Sequence, residues 1–213
     1  AMALTSIAHP DFRDELFFEA KKMGLLGSDR TLNESLHGVY PIHLEETIEI
    51  NGQQVTVRPV KPVDERRIQE HFYNLDKDDV VARFFHEKTS FLKEEVEGVS
   101  QIDYVKDLTM VAIVGEFGFG RVVGIGEYLI DPATNIAEVA FSISKELQKK
   151  GMGKILLKKL AAAAMENDIS GLVAYTSPQN RGMIKLFNQL PYKVSTFFDG
   201  DMLTLNCKFN EPL

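Results

Sequence analysis

The 213-residue chain has a single cysteine, Cys207, so it can form no internal disulfide, and it suits a reducing compartment such as the cytoplasm. It lacks any apolar run near the ~18 residues needed to cross a bilayer, and it shows no signal-peptide pattern, so no membrane partner is expected. Positive charge is in deficit. The 24 Lys and Arg against 31 Asp and Glu give a net charge of −7, which removes the broad electrostatic basis for gripping nucleic acid. His9, His37, His43, His71 and His86 contain no pair at metal-site spacing, and with one cysteine no metal is implied. Repeats and low-complexity tracts are also missing. What is present is globular composition, 44% hydrophobic and 26% charged, with enough apolar mass for one cored domain and an appendage.

Residues 1–45 read differently from the rest. His9-Pro10-Asp11 opens a helix, with Pro10 suited to its first turn, and Leu16, Phe17, Ala20 and Met23 make an apolar stripe. A polar stretch from Ser28 to Pro41 follows. The spacing therefore predicts an N-terminal helical segment and linker over 1–45 and a separate domain over 46–213. In the latter, Asn51-Gly52 marks a hairpin between strands 45–50 and 53–60. Short helices open near Pro62, Asp78 and Phe91. Strands 109–114, 122–130 and 136–143 come next, the first two joined through the glycine-rich stretch Gly115–Gly120. Helix 151–167, strand 171–176, helix 180–189 and strands 192–198 and 202–209 complete the order. Sequential strands pair antiparallel, whereas strand-helix-strand pairs parallel, so the expected class is α/β (α+β), a mixed sheet with helices on both faces.

The most informative stretch is Gln148-Lys149-Lys150-Gly151-Met152-Gly153, between strand 136–143 and a long helix. Glycines there let backbone N–H groups approach a ligand closely, and the first turn of a helix offers unpaired N–H groups and partial positive charge. A pyrophosphate fits such a place. A dinucleotide fingerprint would need a third glycine where Leu156 stands, and a Walker loop would need Ser or Thr where Ile155 follows Lys154.

The remaining pattern, Q-x-x-G-x-G, resembles the GNAT superfamily of acyl-CoA-dependent N-acyltransferases, and the likeness extends over about 54–209. Val57-Arg58-Pro59-Val60 with Asp64 is similar to the opening of such domains. Arg83-Phe84-Phe85, Gln101-Ile102-Asp103-Tyr104, Asn135–Ile143 and Ser177–Met183 resemble the Pat-type bacterial protein-lysine acetyltransferases. The resemblance implies a GNAT fold of about six to seven mostly antiparallel strands. Separately, Ile7–Leu16 with Ala20 and Gly24-Leu25-Leu26 resembles the C-terminal end of acetyl-CoA hydrolase/transferase proteins, which implies a CoA-transferase-like domain fused upstream.

From the family follow the expected roles. Acetyl-CoA is the co-substrate, its pyrophosphate on the N–H groups of Gln148, Lys149, Lys150, Gly151, Met152, Gly153 and Lys154. Its pantetheine arm lies along Phe141 and Ile143, and N–H near Val139 or Ala140 faces the thioester carbonyl. Asn180 caps the next helix and reaches CoA. An ammonium with a free pKa near ~10.4 must lose a proton before attack, and Glu138 is the expected general base, with Glu127 the rival. Phe187 stands where many GNAT enzymes carry a proton-donating tyrosine, and Tyr192 is nearby in sequence without an assigned role. Asp103 and Tyr104 are candidates for shaping an acceptor groove. The acceptor is an amine, a protein lysine in the Pat-type subgroup or a small amine otherwise. The alternative is a CoA-sensing module that regulates a fused CoA-transferase and transfers nothing.

Overall fold

The hairpin foreseen at Asn51-Gly52 forms because both residues take positive φ, 51° and 77°, in the turn between β1 (Glu46–Ile50) and β2 (Gln53–Pro59). The computed structural model describes residues 1, 4–5, 8, 10–27, 40–100, 103–115 and 120–213. His9, His37, the Gln101-Ile102 pair, the centre of the Gly115–Gly120 stretch and most of the polar segment after Ser28 lie outside these residues.

An N-terminal helix, α1 (Pro10–Lys22), precedes the hairpin. From β2 the chain turns into α2 (Glu65–Tyr73) through a buried ion pair. Arg58 donates Nη1 and Nη2 to the Asp64 carboxylate at 2.7 and 2.8 Å, and Asp64 also accepts from the Lys61 backbone N–H at 2.9 Å. Burial alone would raise the Asp64 pKa, but the Arg58 guanidinium outweighs it and holds the carboxyl below its ordinary range. The Arg58-Pro59-Val60…Asp64 pattern is thus the joint that sets α2 on the sheet.

Helices α3 (Lys77–Phe84) and α4 (Lys93–Ser100) follow, and Phe72, Phe84 and Phe91 pack their rings 5.3–5.4 Å apart. Then come β3 (Asp107–Val114), β4 (Arg121–Asp131), β5 (Ile136–Ile143), α5 (Met152–Glu166), β6 (Gly171–Thr176), α6 (Arg181–Phe187), β7 (Tyr192–Asp199) and β8 (Met202–Pro212). All eight strands join one sheet in the order β1-β2-β3-β4-β5-β6-β8-β7. That exceeds the six to seven expected, because β1 pairs with β2 over its whole length and extends the edge. Every pairing is antiparallel except β5 with β6, as the helix between them requires.

Helix α5 covers one face, its Leu156, Leu157, Leu160 and Ala164 fully buried, while α2 and α3 pack against β4 and β5 on the other. The segment before β1 is not uniform. Leu44 is in the core and Tyr40 sets its ring edge-on to Tyr104 at 5.5 Å, while Phe12, Leu16, Phe18 and Met23 of the α1 region are exposed.

Candidate active site

The parallel ladder between β5 and β6 is short. It pairs Ile136 with Gly171, Ala137 with Leu172 and Glu138 with Val173, then stops, while β4 continues beside β5 as far as Ile143. From Val139 onward the β6-facing edge of β5 has no strand partner. A cavity of about 710 Å³ fills the opening, lined on one wall by Glu138 to Ile143 and on the other by Tyr175 and the start of α6.

At one end of this cavity the chain turns into α5. Gly151 precedes the helix with φ +92°, and a Cβ added there would meet nothing within 4 Å, so the turn opens onto space. Lys149 also takes positive φ, 59°. The backbone N–H of Ile155 donates to Gly151 at 3.1 Å, which leaves the N–H groups of Met152, Gly153 and Lys154 without an intrahelical acceptor. A Cβ on Gly153 would sit 3.3 Å from Ile143 and 3.5 Å from Leu186, so glycine keeps this approach narrow and clear. Gln148 anchors the turn. Its Nε2 donates to the Ile143 carbonyl and to Asp79 on α3, both at 2.9 Å. Lys149, Lys154, Arg181 and Lys185 line this region, so four cations gather in a chain whose net charge is −7.

At the other end stands Glu138. Desolvation raises its pKa, the nearby Glu127 charge adds to the rise, and Arg83 opposes it. Among the described residues Glu138 makes no ion pair, whereas Glu127 is paired with Arg83. A second cavity, of about 330 Å³, reaches Glu138 from the opposite side. Arg83, Glu138 and Ala140 line both. Phe72, Phe84 and Phe91 wall the second cavity, and Asp107, Thr109, Glu127 and Leu129 line its sheet side. Behind β5, the buried His71 places Nε2 3.0 Å from the Ser142 hydroxyl, and burial pushes this imidazole down to about 4. Among the described residues no group of His, Cys, Asp and Glu could hold a metal ion, and no helix is long and apolar enough to cross a membrane.

The model of the acetyltransferase (GNAT) family matches residues 70–190, more than half of the chain. The chain belongs to the GNAT acetyltransferase family. An acetyltransferase of Pseudomonas aeruginosa is 27% identical over 141 residues, 66% of this chain and 75% of the relative. The GNAT domain of S. lividans PAT superposes with a TM-score of 0.70 at 26% identity, covering 80% of this chain and 99% of that one. The fold is shared with yncA from Salmonella typhimurium, solved with its cofactor acetyl-CoA, at a TM-score of 0.56 and 20% identity over 73% of this chain and 92% of that one. Use of acetyl-CoA as acetyl donor is a property of the family.

Within this GNAT domain most of the residues singled out from sequence come together. Glu138, Val139, Ala140, Phe141, Ile143, Gln148, Lys149, Gly151, Gly153, Lys154 and Asn180 all line the larger cavity. Two do not. Met152 turns its side chain into the core, fully buried, which leaves only its backbone to the turn, and Lys150 is exposed outside the lining. Asn180 caps α6, its Oδ1 accepting from the Met183 N–H at 3.0 Å. Phe187 is fully buried, and the Tyr192 hydroxyl meets Met165 Sδ at 3.1 Å rather than the cavity. Asp103 and Tyr104 are buried and line neither cavity. The sequence reading missed Tyr175, Arg181 and Lys185, which reach the cavity only because β6 diverges from β5. For the two cations the available signal was Arg181 directly after Asn180 and Lys185 one helical turn further on.

Proposed function

We propose that this domain transfers the acetyl group of acetyl-CoA to the side-chain amine of a protein lysine, by direct attack in a ternary complex. The observation that carries the reading is the end of the β5–β6 ladder at Glu138. It leaves an open strand edge leading from a helix N-terminus to a carboxylate that two cavities share. Acetyl-CoA supplies the activated thioester. The free N–H groups at the start of α5, with Lys149, Lys154, Arg181 and Lys185 around them, suit its phosphates. The open edge at Phe141 and Ile143 suits the pantetheine amides, and backbone N–H near Val139 or Ala140 stabilises the carbonyl oxygen as it gains charge.

Glu138 takes the proton from the lysine ammonium, directly or through one water, with its basicity raised by desolvation. The freed nitrogen attacks the thioester carbon, and as the tetrahedral adduct collapses the carbon–sulfur bond breaks, the nitrogen's second proton passing through solvent to the departing thiolate. A thiol pKa near ~8.5 lets the sulfur leave as thiolate without a tyrosine at Phe187. Glu127, committed to Arg83, is the weaker base candidate. The aromatic walls and acidic lining of the second cavity suit the methylenes and cation of a lysine side chain. Likeness to the S. lividans PAT domain supports the same acceptor class.

Residues 1–45 are read as the tail of a CoA-transferase-like domain and linker, a role supported by the exposed Phe12, Leu16, Phe18, Met23 and Leu25, with Leu44 packing the end of the linker onto the body. The aprotic, buried Phe187 is the observation that favours the second reading, a CoA sensor. Incubation with acetyl-CoA and a panel of lysine peptides, proteins and small amines, followed by mass spectrometry, separates these readings. Acetyl-lysine is expected. Thiol release with only small amines acetylated overturns the acceptor, and tight CoA binding without any transfer installs the sensor.

A further inference from the structure

The registers of β3, β4 and β5 place Asp107, Leu129 and Glu138 in one row across the sheet, with Thr109, Glu127 and Ala140 in the next. Residues paired in this way share a face, and two strand spacings put Asp107 about 10 Å from Glu138. Both line the second cavity. Asp107 therefore lies on the floor of the space assigned to the acceptor, where the chemistry above counts it only as part of the acidic lining.

Its surroundings are unusual for a carboxyl. Asp103 spends Oδ1 on the backbone N–H groups of Val105, Lys106 and Asp107, at 2.8, 2.6 and 3.2 Å, and its own N–H donates to Asp107 Oδ1 at 2.8 Å. Three N–H bonds converge on this one oxygen, and the Asp103 carboxyl beside Asp107 disfavours a second negative charge there. Desolvation and this neighbour push Asp107 up to about 7. The other titratable or charged groups around it, among the described residues, are Tyr104, Arg83, Glu95, Glu127, Tyr128 and Glu138. Tyr104 and Tyr128 donate their hydroxyls to the Val60 and Val105 carbonyls, Arg83 pairs with Glu127, and Glu95 pairs with Lys88. Both of those cations are thus engaged by other carboxylates.

We propose that Asp107 is a specificity-determining residue for the acceptor, its ionised carboxylate holding the cationic amine in the second cavity before that amine reaches Glu138. The proposal rests on the acetyl-transfer reading and adds a consequence that reading does not contain: acceptor affinity follows the charge of Asp107. No bond is made or broken at this residue.

The test uses Asp107→Asn, which keeps an Oδ1 acceptor for the Asp103 N–H and donates to the Asp103 carboxylate as the protonated acid does. Kinetics with acetyl-CoA and a lysine peptide are followed from pH 6 to 9, with thermal melting to establish folding. The wild-type acceptor KM should fall as pH rises through about 7. In D107N it should stay flat and high, roughly tenfold above wild type at pH 8, the scale of one charged hydrogen bond. The kcat and the CoA affinity should hold. A second variant, Asp103→Asn, removes the neighbouring charge and should move the wild-type inflection to lower pH, which a merely structural role would not do. A D107N enzyme with the wild-type KM, a loss confined to kcat, or an unmoved inflection in D103N overturns the proposal. A wild-type protein that acetylates no amine in the same assay overturns the transfer reading and this one together.

Discussion

Two residues on or against β5 set the local chemistry. Glu138→Gln retains shape and most hydrogen bonding but cannot take a proton. Loss of a general base typically costs ~10²–10⁴-fold in rate, so kcat should fall by that much while CoA affinity, measured by calorimetry, stays put. Part of the loss should return at high pH, where more of the amine is already neutral. Wild-type turnover at pH 7 would move the base to Glu127. His71 governs stability instead. Its imidazole is held neutral down to about 4, against an ordinary value of 6.5. Above pH 6.5 both folded and unfolded chains carry it uncharged and its contribution is complete. As pH falls towards 4 the unfolded chain protonates first, and stability drains away. By pH 5 the deficit should reach about 2 kcal/mol. Urea unfolding at pH 7.5 and 5 should show it in wild type and show it reduced in His71→Gln. Neither environment could be read whole from the sequence, because Ser142 lies 71 positions from His71, and Arg83, which pairs with Glu127 beside Glu138, lies 44 positions before Glu127.

At the scale of elements, the sequence was most legible where a pattern repeats along one segment. Alternation and turn residues located the strands to within a few positions, and α5 begins at Met152, one residue after the reading placed it. The geometry of the glycine turn was equally legible, since it lies in six consecutive residues. Its two glycines act differently. Gly151 supplies a backbone conformation, φ +92°, and Gly153 supplies clearance from Ile143 and Leu186. Gly151→Asp and Gly153→Asp should each abolish CoA binding in calorimetry, because both put a negative charge beside the pyrophosphate. Gly151→Asn, which tolerates positive φ and adds no charge, should retain most of the affinity. Unchanged binding in both Asp variants would remove the CoA assignment from this turn. The second cavity was not legible. Its walls come from α2, α3, α4, β3, β4 and β5, and no local spacing joins Phe72 to Asp107 or Glu127. Asp107 in particular reads as an ordinary polar residue opening a strand.

For the whole molecule, the question is where the folding unit begins. Tyr40 and Leu44 precede β1 but belong to the packed body, with Lys159 Nζ donating to the Leu44 carbonyl at 3.1 Å. A chain starting at Tyr40 should therefore unfold cooperatively and bind CoA like the longer one. A chain starting at Ile48 gives up the buried Leu44 and should be less stable by roughly 2–5 kcal/mol, the range for losing a core leucine. Thermal unfolding of both distinguishes a dispensable N-terminal segment from an integral one, and an unfolded Tyr40 chain would make α1 part of the domain. The short β5–β6 ladder matters at this scale too. Five strands stand on one side of it and three on the other, joined through three residue pairs and the helix that spans them. A ligand shaped like an extended chain, lying along the open edge, acts as the strand the protein does not encode. By mass action its binding becomes folding free energy, about 2.7 kcal/mol at a hundred times Kd. If acetyl-CoA occupies that edge as proposed, the thermal stability of this domain should rise and fall with the acetyl-CoA concentration around it, so that a dwindling acyl donor pool would leave a softer protein as well as an idle one.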